Sequence, residues 1–272
     1  MTSLSRRAAG VWLIMILAFA PHSGAADELR IYAAGSLTSA FTEMVKAFPA
    51  PPGSIAEPLF GPSGMLRDKI EHGDPADLLA SADMEQPRAL AREQRDRSVV
   101  MFTRNRLCAL GRSSLGLTAD NMLDRLLDPT VRLATSTPGA DPGGDYAWAV
   151  FARAEAVRPG TQSILQSKAM KLVGGPNTPP LVAGRGVVQG IFLSDRADVM
   201  LGYCSSSGPV MQEVPGLTSV ALPPALTVGP AYGLIVLSNH PLAKRFALFV
   251  LSEQGQAILL KNGFDPIGLA TR

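Results

Sequence analysis

Histidine and cysteine are scarce in this chain of 272 residues, which has three of the first and two of the second. The histidines stand at 22, 72 and 240 and the cysteines at 108 and 204. No C-x-x-C or H-x-x-x-H spacing relates them, which argues against a metal site. Charge is thin as well: 18% of residues are charged and the formal net charge is +2. The lysines and arginines are scattered, with no basic block to hold nucleic acid or an anionic membrane. Beyond residue 26 no apolar run reaches the roughly twenty residues that cross a bilayer. Internal repeats and low-complexity segments are missing too. What remains is a globular composition, 46% hydrophobic, enough for one large domain or two small ones.

Residues 1–26 read as an export leader: Arg6-Arg7 form a basic start, Val11 to Ala20 an apolar stretch, and Ser23-Gly24-Ala25-Ala26 a small-residue cleavage region. Ser5-Arg6-Arg7 leaves both the general and the twin-arginine routes open. No cysteine lies near the cleavage region, so a lipid anchor is not expected. In an exported chain Cys108 and Cys204 would be joined; in the cytosol they would be buried thiols.

The stretch Tyr32-Ala33-Ala34-Gly35-Ser36-Leu37-Thr38 organises the rest of the chain. Leu29 to Ala33 reads as a buried strand. Leu37, Ala40, Phe41, Met44, Val45 and Phe48 recur at helical spacing. The chain thus turns from strand to helix at Gly35-Ser36. Serine there either caps the helix or, with the open amides beyond it, holds an anion. The arrangement recurs: strand Ile55 to Phe60, turn Gly61-Pro62-Ser63-Gly64, then a helix opened by Met65, Leu66, Lys69 and Ile70. Leu78 to Ala80 supplies a third strand, and Ser81-Ala82-Asp83 turns into a helix over Gln86 to Gln94. Short apolar strands alternating with helices argue an α/β fold with a doubly wound sheet, whose ligand site lies at the carboxyl ends of the strands.

A second α/β unit comes after an extended crossing at residues 99–110. It comprises a helix over Asn121 to Leu127, a strand Val131 to Thr135 and a helix from Asp145 to Ala156. Between that strand and helix, Gly143-Gly144 reads equally as a helix N-terminus with bare amides and as a flexible turn. Gln162 to Leu172 and Gly186 to Leu193 read as helices, Asp198 to Cys204 as a strand, and Ser205 to Gly208 as a turn. Residues 217–222 and 225–237 return the chain, and helices over Pro241 to Lys261 close it. The architecture is therefore two doubly wound α/β lobes joined by two crossing strands. Residues 27–104 and 227–272 form lobe I and residues 105–226 lobe II, a layout that permits hinge closure on a ligand.

These residues resemble the periplasmic molybdate-binding proteins of ABC transporters and, more loosely, the type II solute-binding proteins. The resemblance covers most of the chain after residue 26. It is strongest in Ala33-Ala34-Gly35-Ser36-Leu37-Thr38, in Phe60-Gly61-Pro62-Ser63-Gly64-Met65-Leu66, and in Gly73-Asp74-Pro75-Ala76-Asp77 through Asp83. It returns at Tyr203 and at Gly263-Phe264. It implies an oxyanion held by the hydroxyls and amides of Ser36 and Ser63, the Gly143 amide and the Tyr203 hydroxyl. It also implies a monomer outside the cytoplasm that delivers its ligand to a membrane permease and carries no cofactor. The strands bearing Cys108 and Cys204 are neighbours in that family's sheet, which implies a disulfide between them. Three positions depart from the pattern: Gly184-Arg185-Gly186 where the family has a valine beside an arginine, Pro62 beside Ser63, and Asp145 in the first turn of a ligand-facing helix.

Donors without an obligatory acceptor suit a fully deprotonated dianion such as molybdate, tungstate or sulfate. A small organic anion is the alternative, with Arg185 pairing its carboxylate or phosphonate. Arg185 reads equally well as an exposed residue at a helix start. A serine hydrolase is the third reading. It needs a base near Ser36, yet only His72 and His240 remain, and the serine turn lacks the glycine of a nucleophile elbow.

Overall fold

The computed structural model describes residues 28–93, 97–180 and 185–268. The leader expected over residues 1–26 lies outside the described residues.

The amino-terminal unit is built as strand–turn–helix repeats: β1 (Ile31–Ala34) into α1 (Thr38–Ala47), β2 (Leu59–Gly61) into α2 (Ser63–Glu71), and β3 (Leu78–Ser81) into α3 (Glu85–Glu93). β4 (Val99–Arg104) then leads through Asn105 into β5 (Leu107–Arg112). The middle of the chain holds α4 (Met122–Leu127), β6 (Leu133–Ser136), α5 (Pro142–Val157), α6 (Thr161–Lys168), β7 (Met170–Val173), α7 (Val187–Leu193), β8 (Val199–Tyr203), α8 (Cys204–Glu213) and β9 (Leu217–Ala221). β10 (Ala231–Val236), α9 (Pro241–Leu251), α10 (Glu253–Lys261) and β11 (Asp265–Pro266) finish it.

Among the described residues the strands form two sheets, ordered β11-β4-β10-β3-β1-β2 and β7-β6-β8-β5-β9. β2, β1 and β3 run parallel, as the intervening helices require, while β10 and β4 are antiparallel to their neighbours. The chain passes from the first sheet to the second between β4 and β5 and returns between β9 and β10. Each sheet has its own core. Phe41, Phe102 and Phe246, none of them exposed, fill the first beneath α1, α9 and β4. Leu133, Val150, Phe151 and Leu165 fill the second between β6, α5 and α6. Separate cores joined by two short crossings make a two-lobed α/β molecule.

Two local expectations are corrected. The helix expected through Leu172 ends at Lys168, and residues 170–173 become the edge strand β7, parallel to β6. Ser205 to Gly208 belong to α8 rather than a turn. Their helix propensity is low and Pro209 lacks an amide, but Val210 is buried against Phe192 and Val214, so packing decides the conformation. Cys108 on β5 and Cys204, the first residue of α8, form a disulfide.

Candidate functional site

Three turns leave the carboxyl ends of adjacent parallel strands in the first sheet. Ser36 lies in the single 3-10 turn that joins β1 to α1, and its Oγ is 2.9 Å from the Tyr232 hydroxyl. Ser63 is the first residue of α2 and is buried. Its Oγ accepts a hydrogen bond from the Ala82 amide at 3.1 Å, which ties the second turn to the third. α2 has no side-chain cap, and the first amide of its ladder is that of Leu66, which donates to Pro62. The amides of residues 63–65 therefore have no helical acceptor. Asp83, on the third turn, caps α3: its Oδ1 accepts from the Gln86 amide at 3.0 Å and from Ser81 Oγ at 2.9 Å.

The second sheet presents a matching set. Tyr203 ends β8, and its hydroxyl is sealed from solvent with no hydrogen-bond partner. An unpaired buried hydroxyl costs about 1–3 kcal/mol, a condition Tyr203 shares with Thr135, Thr137 and Thr161. Its ring meets Tyr146 edge-on at 6.4 Å and Tyr232 at 5.7 Å, the latter from the first sheet. Gly143 is the second residue of α5, and its amide donates to Asp141 Oδ1 at 3.0 Å, so the helix cap already engages it. A Cβ on Gly143 would lie 3.1 Å from Ser136 Oγ, a tight approach that a small shift of that side chain would have to relieve.

The lobes touch across this site. A Cβ on Gly64 would come within 2.5 Å of the Gly139 carbonyl oxygen and 2.7 Å of that of Ala140. Asp83 in lobe I is felt electrostatically by Asp141, Asp145, Tyr146 and Tyr203 in lobe II. Burial pushes the carboxyls of Asp83, Asp141 and Asp145 above their ordinary range and the hydroxyls of Tyr146, Tyr203 and Tyr232 well above theirs. The tyrosines are thus neutral donors at any physiological pH, and the acids carry charge less readily than exposed ones.

Ser36, Ser63, Gly143 and Tyr203 are accordingly gathered at one edge. Arg185 is not. It is exposed ahead of α7 and pairs with Glu213 at 2.8 Å, at the end of α8 farthest from Tyr203, about 15 Å along the helix. A surface groove of about 530 Å³ beside β7, lined in part by Lys171, Asn177 and Arg196, shares none of these residues. The sequence reading missed Tyr146, Tyr232, Asn105, Asp83 and Asp141. The two aspartates were signalled, Asp83 by Gln86 three residues later and Asp141 by the proline directly after it, both marks of a helix start. Tyr232 has no such signal, being one aromatic residue in an apolar strand.

Residues 29–265 match the family of bacterial extracellular solute-binding proteins. The Pasteurella multocida (strain Pm70) protein PM1146 is 36% identical over 239 residues, which cover 88% of this chain and 98% of that relative. The sulfate-binding protein SubI from Mycobacterium tuberculosis H37Rv superposes with a TM-score of 0.72 at 17% identity, over 89% of this chain and 88% of its own. The Azotobacter vinelandii periplasmic molybdate-binding protein does so with a TM-score of 0.66 at 17% identity, over 87% and 98%. These two likenesses are likenesses of fold.

Proposed function

This chain belongs to the bacterial extracellular solute-binding proteins, and from that premise we propose that it captures a small tetrahedral oxyanion outside the cytoplasm. It then delivers the anion to the membrane permease of an ABC transporter. Residues 27–104 and 227–272 form one jaw, residues 105–226 the other, and the anion sits between them as a monomer's ligand. The observation that carries this reading is the Tyr203 hydroxyl, sealed and without a partner, beside hydroxyls at facing strand ends. A bound oxyanion would supply the acceptor that hydroxyl lacks. Ser36, Ser63 and Tyr203 are the proposed hydroxyl contacts. Gly143 contributes through its amide where Asp141 yields it, and Arg185, held by Glu213, serves the surface of α8 instead.

The sulfate and the molybdate named for two structural relatives are anions of this class. Neutral donors, with uncapped amides at the start of α2, hold such a dianion without an ion pair. Calorimetric titration of the dialysed protein with molybdate, tungstate, sulfate and phosphate tests the proposal. At least one should bind, and Ser63→Ala should weaken it by about 10- to 100-fold, the loss of one hydrogen bond to a charged group. Undiminished affinity in both Ser36→Ala and Ser63→Ala would move the site elsewhere.

A further inference from the structure

We propose that Asn105 and Tyr232 are positioning residues that set the hydroxyl of Ser36 as a donor toward the cleft, and so select a ligand that only accepts hydrogen bonds. This rests on the oxyanion reading and sharpens it. The chain of constraint begins in the crossing between β4 and β5. The Arg106 amide donates to Asn105 Oδ1 at 2.8 Å, which fixes the orientation of the side-chain amide. Asn105 Nδ2 then donates both its hydrogens, to the Tyr232 hydroxyl oxygen at 3.0 Å and to Ser205 Oγ at 2.8 Å.

Tyr232 has no exposed surface, so its own O–H needs a protein acceptor. Ser36 Oγ, at 2.9 Å, is the one it has among the described residues. Tyr232 therefore donates and Ser36 accepts, which leaves the hydrogen of Ser36 unused and directed away from Tyr232. The same condition holds at Ser63 by a backbone route, where the Ala82 amide occupies a lone pair of Oγ. Both serines thus have an acceptor position filled by lobe I and a hydrogen to spare. Asp83 and Asp141 turn Oδ1 to the Gln86 and Gly143 amides, which fixes both carboxyls as helix caps. A sulfate or molybdate dianion can use every such donor. Monohydrogen phosphate would set its own proton against the hydrogens these hydroxyls present. Because Ser205 belongs to α8 and Asn105 to the crossing, the chain of bonds joins both lobes to the serine it orients.

A double-mutant cycle tests this, with sulfate, molybdate and phosphate as calorimetric probes of the full chain. Tyr232→Phe keeps the ring packed against Phe102, Tyr203 and Phe264 and removes only the oxygen. It should lower the affinity for the bound dianion about tenfold in the parent background and less than twofold in Ser36→Ala. The preference for that dianion over phosphate should fall in parallel. Asn105→Asp, which puts an acceptor where Nδ2 donates, should turn the Tyr232 hydrogen away from Ser36 and give the same pattern by a different change. Equal losses in both backgrounds, or none, would make the pair structural and overturn the proposal while the oxyanion reading stands. A parent that binds none of the three anions overturns that reading, and this proposal with it.

Discussion

Asp141 caps α5 with a carboxyl that burial lifts above its ordinary value of 3.8, against the lowering effect of the Gly143 amide and of Ser136. Asp145 and Asp83 lie near enough to raise it further. The folded chain therefore keeps a proton on Asp141 at pH values where the unfolded chain has released it. That favours the folded state at low pH, and the advantage is lost as pH rises through the raised value. Asn at this position keeps the acceptor for the Gly143 amide and removes the charge. Asp141→Asn should therefore melt higher than the parent at pH 7.5, with the difference closing as pH falls toward 3.8. Above the raised value, where the parent's carboxyl is ionised, it should also bind a dianion more tightly, by roughly tenfold, because a like charge leaves the cleft. Thermal melts at the two pH values and one titration check both statements, and equal melting at both would show that the carboxyl is not strained by its burial.

α8 begins at a covalent anchor. Cys204, its first residue, is bonded to Cys108 on β5, 96 residues earlier, and Tyr203 immediately precedes it. β5 and β8 already pair along five residues, so the disulfide reinforces a junction rather than creating one. Its larger effect falls on the unfolded chain, where it closes a long loop. Replacing both cysteines by alanine should lower the unfolding free energy by about 2–4 kcal/mol, measured by urea denaturation, while the parent in reductant should approach the variant. An unchanged midpoint would mean that the native state holds strain equal to the entropy saved. Helix α2 contributes differently, through uncapped amides and a buried serine at its first position.

Across the whole molecule, the two lobes approach each other tightly at Gly64. Alanine there improves the intrinsic helix propensity of α2 by about 1 kcal/mol, and nothing within lobe I stands among the atoms nearest its Cβ. The obstruction is in lobe II, where the carbonyl oxygens of Gly139 and Ala140 would lie at 2.5 and 2.7 Å. Gly64→Ala should therefore hold the jaws apart while leaving each lobe folded. Expected are an unchanged or slightly higher melting temperature, a loss of more than tenfold in anion affinity, and no contraction by small-angle scattering when the parent's anion is added. Full affinity with normal contraction would show that closure tolerates the extra methyl group.

The turns at Ser36 and Ser63, the two α/β units and the crossings between them were legible in the sequence because each is a local matter. Short apolar strands, helical spacing and a serine at the junction are written in consecutive residues. The resemblance carried by those turns also pointed to Tyr203 and to the pairing of Cys108 with Cys204. Residues 170–172 misled because Met, Lys and Leu favour a helix and only pairing with β6 makes them a strand, and residues 205–208 misled because their weak helix propensity is overridden by packing. Tyr232 and Asn105 were beyond reach for a further reason. Ser36 and Tyr232 are 196 residues apart, and Asn105 and Tyr232 are 127 apart. Which hydroxyl donates to which is decided by accounting for every buried hydrogen at one place in space. Neighbouring residues are enough to place the donors along the chain. Which of those donors still has a hydrogen to give is settled by folding, because it depends on partners that only folding brings within reach.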